Sequence, residues 1–125
     1  YRIEAFPQWF LVAEEDGTVV GLLNGPATDA KFICDRLYEP GGAGENGTTL
    51  AILGLAVLPD RRRQGIAAQL MHAYLDRARQ GGMERVVLTC KENLIPFYEQ
   101  FGFVNRGVSQ SVHGGVVWYD MEYTI

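Results

Sequence analysis

Pro59-Asp60-Arg61-Arg62-Arg63-Gln64-Gly65-Ile66-Ala67-Ala68 sets three consecutive arginines ahead of a glycine, in a chain of formal net charge -4. An apolar run precedes this turn and a helically periodic run follows it, so it lies between a strand and a helix N-terminus. Backbone N–H groups in a first helical turn lack intrahelical partners and stand at the positive end of the helix dipole. Phosphate oxygens suit that arrangement, and Gly65 lets a ligand reach the backbone with no Cβ in the way. The glycine fingerprint of dinucleotide folds is absent, as is the lysine-bearing P-loop. By charge pattern alone the turn reads equally as a phosphate cradle or as a basic, solvated turn. Cys90 ends an apolar run, but nothing beside it in sequence would activate a thiolate, and it reads as structural.

Periodicity gives the elements that must position the turn. Trp9 to Ala13 is a short strand and Thr18 to Leu23 its returning partner. Asp16-Gly17 between them fits a type I′ hairpin turn, because glycine accepts a positive φ. Gly25-Pro26 ends the second strand, and Asp29 to Glu39 forms a short irregular helix. Pro40 to Gly47 is too glycine-rich for an element interior. Leu50 to Val57 (LAILGLAV) is nearly all apolar, as in a strand covered on both faces, with Gly54 marking a bulge or a close approach. Ile66, Leu70, Met71, Tyr74, Leu75 and Ala78 recur at helical spacing, so an amphipathic helix runs from Gly65 to Gln80 and stops at Gly81-Gly82. Val86 to Cys90 is the next strand, which makes Leu50 to Cys90 a strand–helix–strand crossover with parallel strands. Asn93 caps a helix over Leu94 to Gln100, with Gly102 just past its end. Strands over Phe103 to Ser109 and Val116 to Tyr123 complete one α/β domain spanning residues 1–125.

The motifs resemble those of the GNAT superfamily of acetyl-CoA-dependent N-acetyltransferases. Arg62-Arg63-Gln64-Gly65-Ile66-Ala67 matches its R/Q-x-x-G-x-G/A signature, with Leu55-Ala56-Val57 before it and the amphipathic helix after it. Pro96-Phe97-Tyr98-Glu99-Gln100-Phe101-Gly102-Phe103 stands at the expected distance downstream. VVLTCKENLIPFYEQFGF is particularly similar to the arylalkylamine (serotonin) N-acetyltransferase branch and its bacterial relatives. The resemblance implies a mixed, mostly antiparallel twisted sheet with helices on both faces, split where two parallel strands diverge. It also implies an extra strand and one or two helices before this segment; only Tyr1 to Gln8 stands upstream, so the chain is expected to be N-terminally truncated or incompletely covered.

What the resemblance implies for chemistry is specific. Backbone N–H groups of Gln64, Gly65, Ile66, Ala67 and Ala68 would hold the CoA pyrophosphate, with Arg62 and Arg63 neutralising it. The pantetheine arm would pair with Leu55-Ala56-Val57, and an N–H near Leu55 would hold the thioester oxygen. Tyr98 would donate a proton to the departing thiolate, although it reads otherwise as a core aromatic beside Phe97, Phe101 and Phe103. Vertebrate amine acetyltransferases carry two histidines at the positions of Ala51 and Leu53, so their proton relay does not transfer to this chain. His113, near the segment that lines the amine pocket in relatives, is the candidate base; an exposed hairpin histidine or a water chain is the alternative.

Composition limits the partners. The 125 residues suit one core, and a chain 47% hydrophobic and 21% charged is ordinary for a globular domain. Net acidity argues against a nucleic-acid partner. No apolar run approaches the ~20 residues that cross a bilayer, and no membrane partner is expected. Cys34 and Cys90 match no metal-ligand spacing and suggest a reducing, cytoplasmic compartment. The expected activity is direct acetyl transfer from acetyl-CoA to a small amine in a ternary complex, with no metal and with a homodimer left open. A weakly active acyl-CoA sensor and a peptide or protein N-acetyltransferase are the alternatives.

Overall fold

The computed structural model describes residues 2–6, 9–28, 47–61, 65–109 and 115–125. Outside them lie the helix expected over Asp29 to Glu39, nearly all of the glycine-rich loop, Arg62, Arg63, Gln64 and His113.

The chain opens with a strand that periodicity did not reveal, β1 (Arg2–Phe6), antiparallel to β2 (Phe10–Glu15). Its Arg2 pairs with Glu4 at 2.7 Å, so charged side chains alternate with Ile3 along an exposed sheet margin. The Asp16-Gly17 turn then leads into β3 (Thr18–Asn24). Both turn residues have positive φ, 51° and 80°, the type I′ geometry expected of this pair.

The expected strand Leu50–Val57 is two strands. β5 (Thr49–Ala51) runs parallel to β7 (Arg85–Cys90), whereas β6 (Gly54–Val57) runs antiparallel to β3. The transfer takes two residues: the Ile52 N–H donates to the Val87 carbonyl at 2.8 Å, and the Leu53 N–H donates to the Asn24 carbonyl at 3.0 Å. Burial changes at the same place, from fully buried Leu50 and Ala51 to an exposed Ala56. Among the described residues the strands therefore form two sheets, β1-β2-β3-β6 and β4-β5-β7-β9-β8, where β4 is Ala27–Thr28, β8 is Val104–Val108 and β9 is Tyr119–Thr124. Only β5 and β7 are parallel among these pairs. The strand expected from Val116 begins at Tyr119, and Val116 and Val117 remain exposed before it.

Helix α1 (Ile66–Gln80) buries the six apolar positions its spacing marks out. At its end the Met83 N–H donates to the Ala78 carbonyl at 3.0 Å and the Gly82 N–H to that of Arg79 at 3.3 Å. With Gly82 at φ 77°, this is a Schellman stop. The second helix is shorter than expected: a 3-10 turn over Glu92–Leu94 leads into α2 (Ile95–Glu99). Asn93 sits inside that 3-10 turn, and no side chain caps α2. Pro96 sets the start, since proline is tolerated only in a helix's first turn. The core joins α1 to both sheets and includes Tyr98 from α2 and Phe103 beyond it.

Candidate active site

A slot of about 160 Å³ opens where the chain leaves β5–β7 for β3–β6. Ile52, Leu53, Gly54 and Leu55 line one bank, Leu88, Thr89 and Cys90 the other, and Leu94, Tyr98 and Trp118 complete the wall. Among the described residues β6 is the last strand of its sheet, and no further described strand pairs with its second edge at the slot. The Leu58 N–H donates to the Val20 carbonyl at 2.8 Å, which fixes the parity of the β3–β6 ladder. Bonded positions alternate in such a ladder. Ala56 therefore turns its backbone groups to β3, while Leu55 and Val57 direct theirs to the opposite edge. Leu55 and Val57 are half-buried there.

Residues 58–65 separate this edge from the N-terminus of α1. Gly65 is exposed at φ 78°, and a Cβ placed on it would meet no atom within 4 Å. The first helical hydrogen bond runs from the Gln69 N–H to the Gly65 carbonyl at 3.0 Å. The N–H groups of Ile66, Ala67 and Ala68 precede that bond, and among the described residues no side chain caps the helix. Ile66 buries its side chain in the core, so its backbone alone is presented; Ala67 and Ala68 are half-buried.

Tyr98 forms the aromatic wall of the slot. It is 8% exposed and packs edge-on against Phe97 and Phe103, with ring centroids 5.1 and 6.0 Å away. Burial, reinforced by Cys90, pushes its phenol up to about 12, so the hydroxyl keeps its proton at any physiological pH. Burial likewise pushes the Cys90 thiol up to about 11, the opposite of what a nucleophilic thiolate needs. Ala51 is fully buried and Leu53 lines the slot, so neither position supplies a proton acceptor. His72 is exposed on α1, where its ring rests against Phe101 at 5.0 Å.

Sequence reasoning passed over Thr89 and Asp120, which oppose one another across β7–β9 beside the slot. Asp120 carries a buried Oδ1 with no hydrogen-bond partner among the described residues. Trp118, two positions earlier in the chain, lines the slot. The signal available in sequence was weak: a carboxylate just after two aromatics, Trp118 and Tyr119, in an alternating strand.

The description of the acetyltransferase (GNAT) family matches residues 2–103. The chain belongs to that family. This GNAT chain is 30% identical over 121 residues to a serotonin N-acetyltransferase of Mesocricetus auratus, covering 94% of itself and 54% of that relative. It thus spans about half the length of the curated relatives it matches. Its fold superimposes on Ard1 from Thermoplasma volcanium with a TM-score of 0.73 and 27% identity, over 96% of this chain and 72% of the other. A GNAT acetyltransferase of Brucella melitensis in complex with acetyl-CoA matches with a TM-score of 0.63 and 25% identity, over 93% and 57%. Two sheets parting at a parallel pair, with mostly antiparallel strands elsewhere, is the GNAT architecture that the motifs implied.

Proposed function

We propose that this chain is an acetyl-CoA-dependent N-acetyltransferase that moves the acetyl group directly to an amine while both substrates are bound. The observation that carries the reading is the slot beside β6, lined by Leu55 and by the buried Tyr98, at an edge that no other described strand pairs with and near the exposed N-terminus of α1. A thin, extended pantetheine suits a slot of about 160 Å³. The backbone of Leu55 faces that slot as a strand partner would, and the amides of Ile66, Ala67 and Ala68 face outward for a pyrophosphate. The similar Brucella protein is in complex with acetyl-CoA, and the hamster relative is a serotonin N-acetyltransferase.

In this reading Gln64 to Ala68 and the side chains of Arg62 and Arg63 take the phosphates. Leu55 and Val57 pair with the pantetheine, and the Leu55 N–H polarises the thioester carbonyl. Tyr98 donates to the leaving sulfur, for which a phenol that stays protonated is suited. Cys90 forms no acyl-enzyme, because positioning both substrates suffices for direct transfer. An acetyl-CoA-dependent thiol-release assay over amines, polyamines, amino acids and peptides tests the whole reading. Release that depends on a primary amine is expected. Tight acetyl-CoA binding without release to any acceptor would instead make this chain an acyl-CoA sensor.

A further inference from the structure

Strand β7 divides the slot into two faces. Val86, Leu88 and Cys90 belong to the core that also holds Tyr98. Val87 and Thr89 alternate to the other face. Thr89 is paired directly with Asp120 and Val87 with Glu122. Directly opposed residues of an antiparallel pair share a face. Thr89 and Trp118 both line the slot, and Asp120 is the cross-strand partner of the first and two positions along the strand from the second, which puts it on their face and opposite Tyr98.

Its surroundings leave one carboxylate oxygen unused. The Ser109 hydroxyl donates to the Asp120 carboxyl, and the Ser109 N–H donates to the Trp118 carbonyl at 2.7 Å, which fixes the serine. Oδ1 remains buried without a partner among the described residues. Burial raises the carboxyl's pKa, against the lowering effect of the Ser109 bond. The other charges on these strands are already engaged. Glu122 accepts from Arg106 at 2.9 Å and lies 3.7 Å from Arg85, while the Lys91 ammonium sits over the Trp118 ring at 6.0 Å. An orphaned buried acceptor is destabilising and calls for an explanation, and a donor on a bound ligand is one that fits a group beside a slot.

Resting on the transferase reading, we propose that Asp120 receives the acceptor: its Oδ1 binds the ammonium of a cationic primary amine and takes its proton. The ammonium gives one proton to Oδ1 and gains a nitrogen lone pair. That pair forms the N–C bond at the thioester carbonyl, the C–S bond breaks, and the thiolate takes its proton from Tyr98 on the other face. The second proton lost by nitrogen returns through water to the tyrosinate, and the proton on Asp120 leaves to solvent. Acid and base thus stand on opposite sides of the sheet, with the thioester between them. A neutral alcohol of the same shape offers Oδ1 no charge and is a poor ligand.

Thiol release with serotonin, spermidine and an alanine-led peptide in the wild type, Asp120→Asn and Asp120→Ala tests this. Both variants are expected to keep the acetyl-CoA KM and to lose about 100-fold in kcat/KM for the amine. The residual rate of Asp120→Asn should climb with pH as solution supplies free amine, and formate should restore part of the Asp120→Ala rate. Asp120→Asn should also resist urea better than wild type at neutral pH, because it removes a charge that burial disfavours. Wild-type rates in Asp120→Asn overturn the role. So does a loss that formate does not relieve and that arrives with weaker acetyl-CoA binding. A wild type that binds acetyl-CoA but serves none of these amines overturns the transferase reading, and this role with it.

Discussion

Gly25 crosses the backbone of Ala51 so closely that a Cβ at position 25 would stand 1.6 Å from the Ala51 carbonyl oxygen. The crossing lies where the chain passes between the sheets, next to the bond from the Ala51 N–H to the Pro26 carbonyl at 2.9 Å. The obstacle is backbone, so no side chain can swing aside. Gly25→Ala is therefore expected to destabilise the fold by about 3 kcal/mol, the upper end for overpacking. Urea unfolding reads this directly. Because the same crossing sets the parting of β5 and β6, acetyl-CoA affinity should fall with it even where the variant remains folded.

Gly65 acts through conformation and access. Its φ of 78° lies in the left-handed region, and the space a Cβ would enter is empty of protein atoms. Gly65→Val is expected to cost about 1–2 kcal/mol of stability through that strain. It should also raise the acetyl-CoA KM tenfold or more, on the order of one lost phosphate contact. Arg61→Ala should raise it less, since a flanking charge is screened where a backbone amide is not. Initial rates at varied acetyl-CoA decide the order, and the reverse ranking would make the stretch a basic patch only.

The contrast between α1 and the Leu50–Val57 run shows what sequence recorded. Ile66, Leu70, Met71, Tyr74, Leu75 and Ala78 were legible as one buried stripe because side-chain type tracks burial at helical period. In LAILGLAV side-chain type says that the run is apolar and that Gly54 marks an irregularity, but not which residues change partner. The break at Ile52 and Leu53 is made by backbone N–H groups choosing Val87 and Asn24, which any residue can do. β1 escaped notice because RIEAF is a five-residue edge strand, too short for its alternation of charge with Ile3 to stand out. Tyr98 was legible through its resemblance to a motif. Asp120 was not, since its place beside Thr89 depends on the β7–β9 register, which no local pattern encodes.

Tyr98→Phe keeps the ring against Phe97 and Phe103 and removes only the hydroxyl. If that hydroxyl protonates the leaving thiolate, kcat at saturating acetyl-CoA should fall by about 100-fold, the lower range for a general acid. The acetyl-CoA KM should change little, and stability should shift by no more than about 1 kcal/mol. Because burial holds the phenol up to about 12, the deficit should be constant across neutral and mildly alkaline pH. An unchanged kcat throughout would return Tyr98 to a packing role.

The same buried groups predict how the fold responds to alkali. The unfolded chain releases the Cys90 proton near pH 9, while the folded chain holds it to about 11. Over that interval the unfolded state binds fewer protons, so stability falls as pH rises; below it both states hold the proton and the contribution is complete. Tyr98 adds a second step, beginning near 10 and ending at about 12. Tyr74, buried and donating to the Trp9 carbonyl at 3.0 Å, is raised further still and prolongs the decline. Urea midpoints should therefore be flat from neutral pH to about 9 and then drop, with each titrating proton adding up to about 1.4 kcal/mol per pH unit. Cys90→Ala should remove the first step and delay the onset to the tyrosine range. An onset that stays near pH 9 in Cys90→Ala would mean that the thiol is not buried as described and that another group sets the limit.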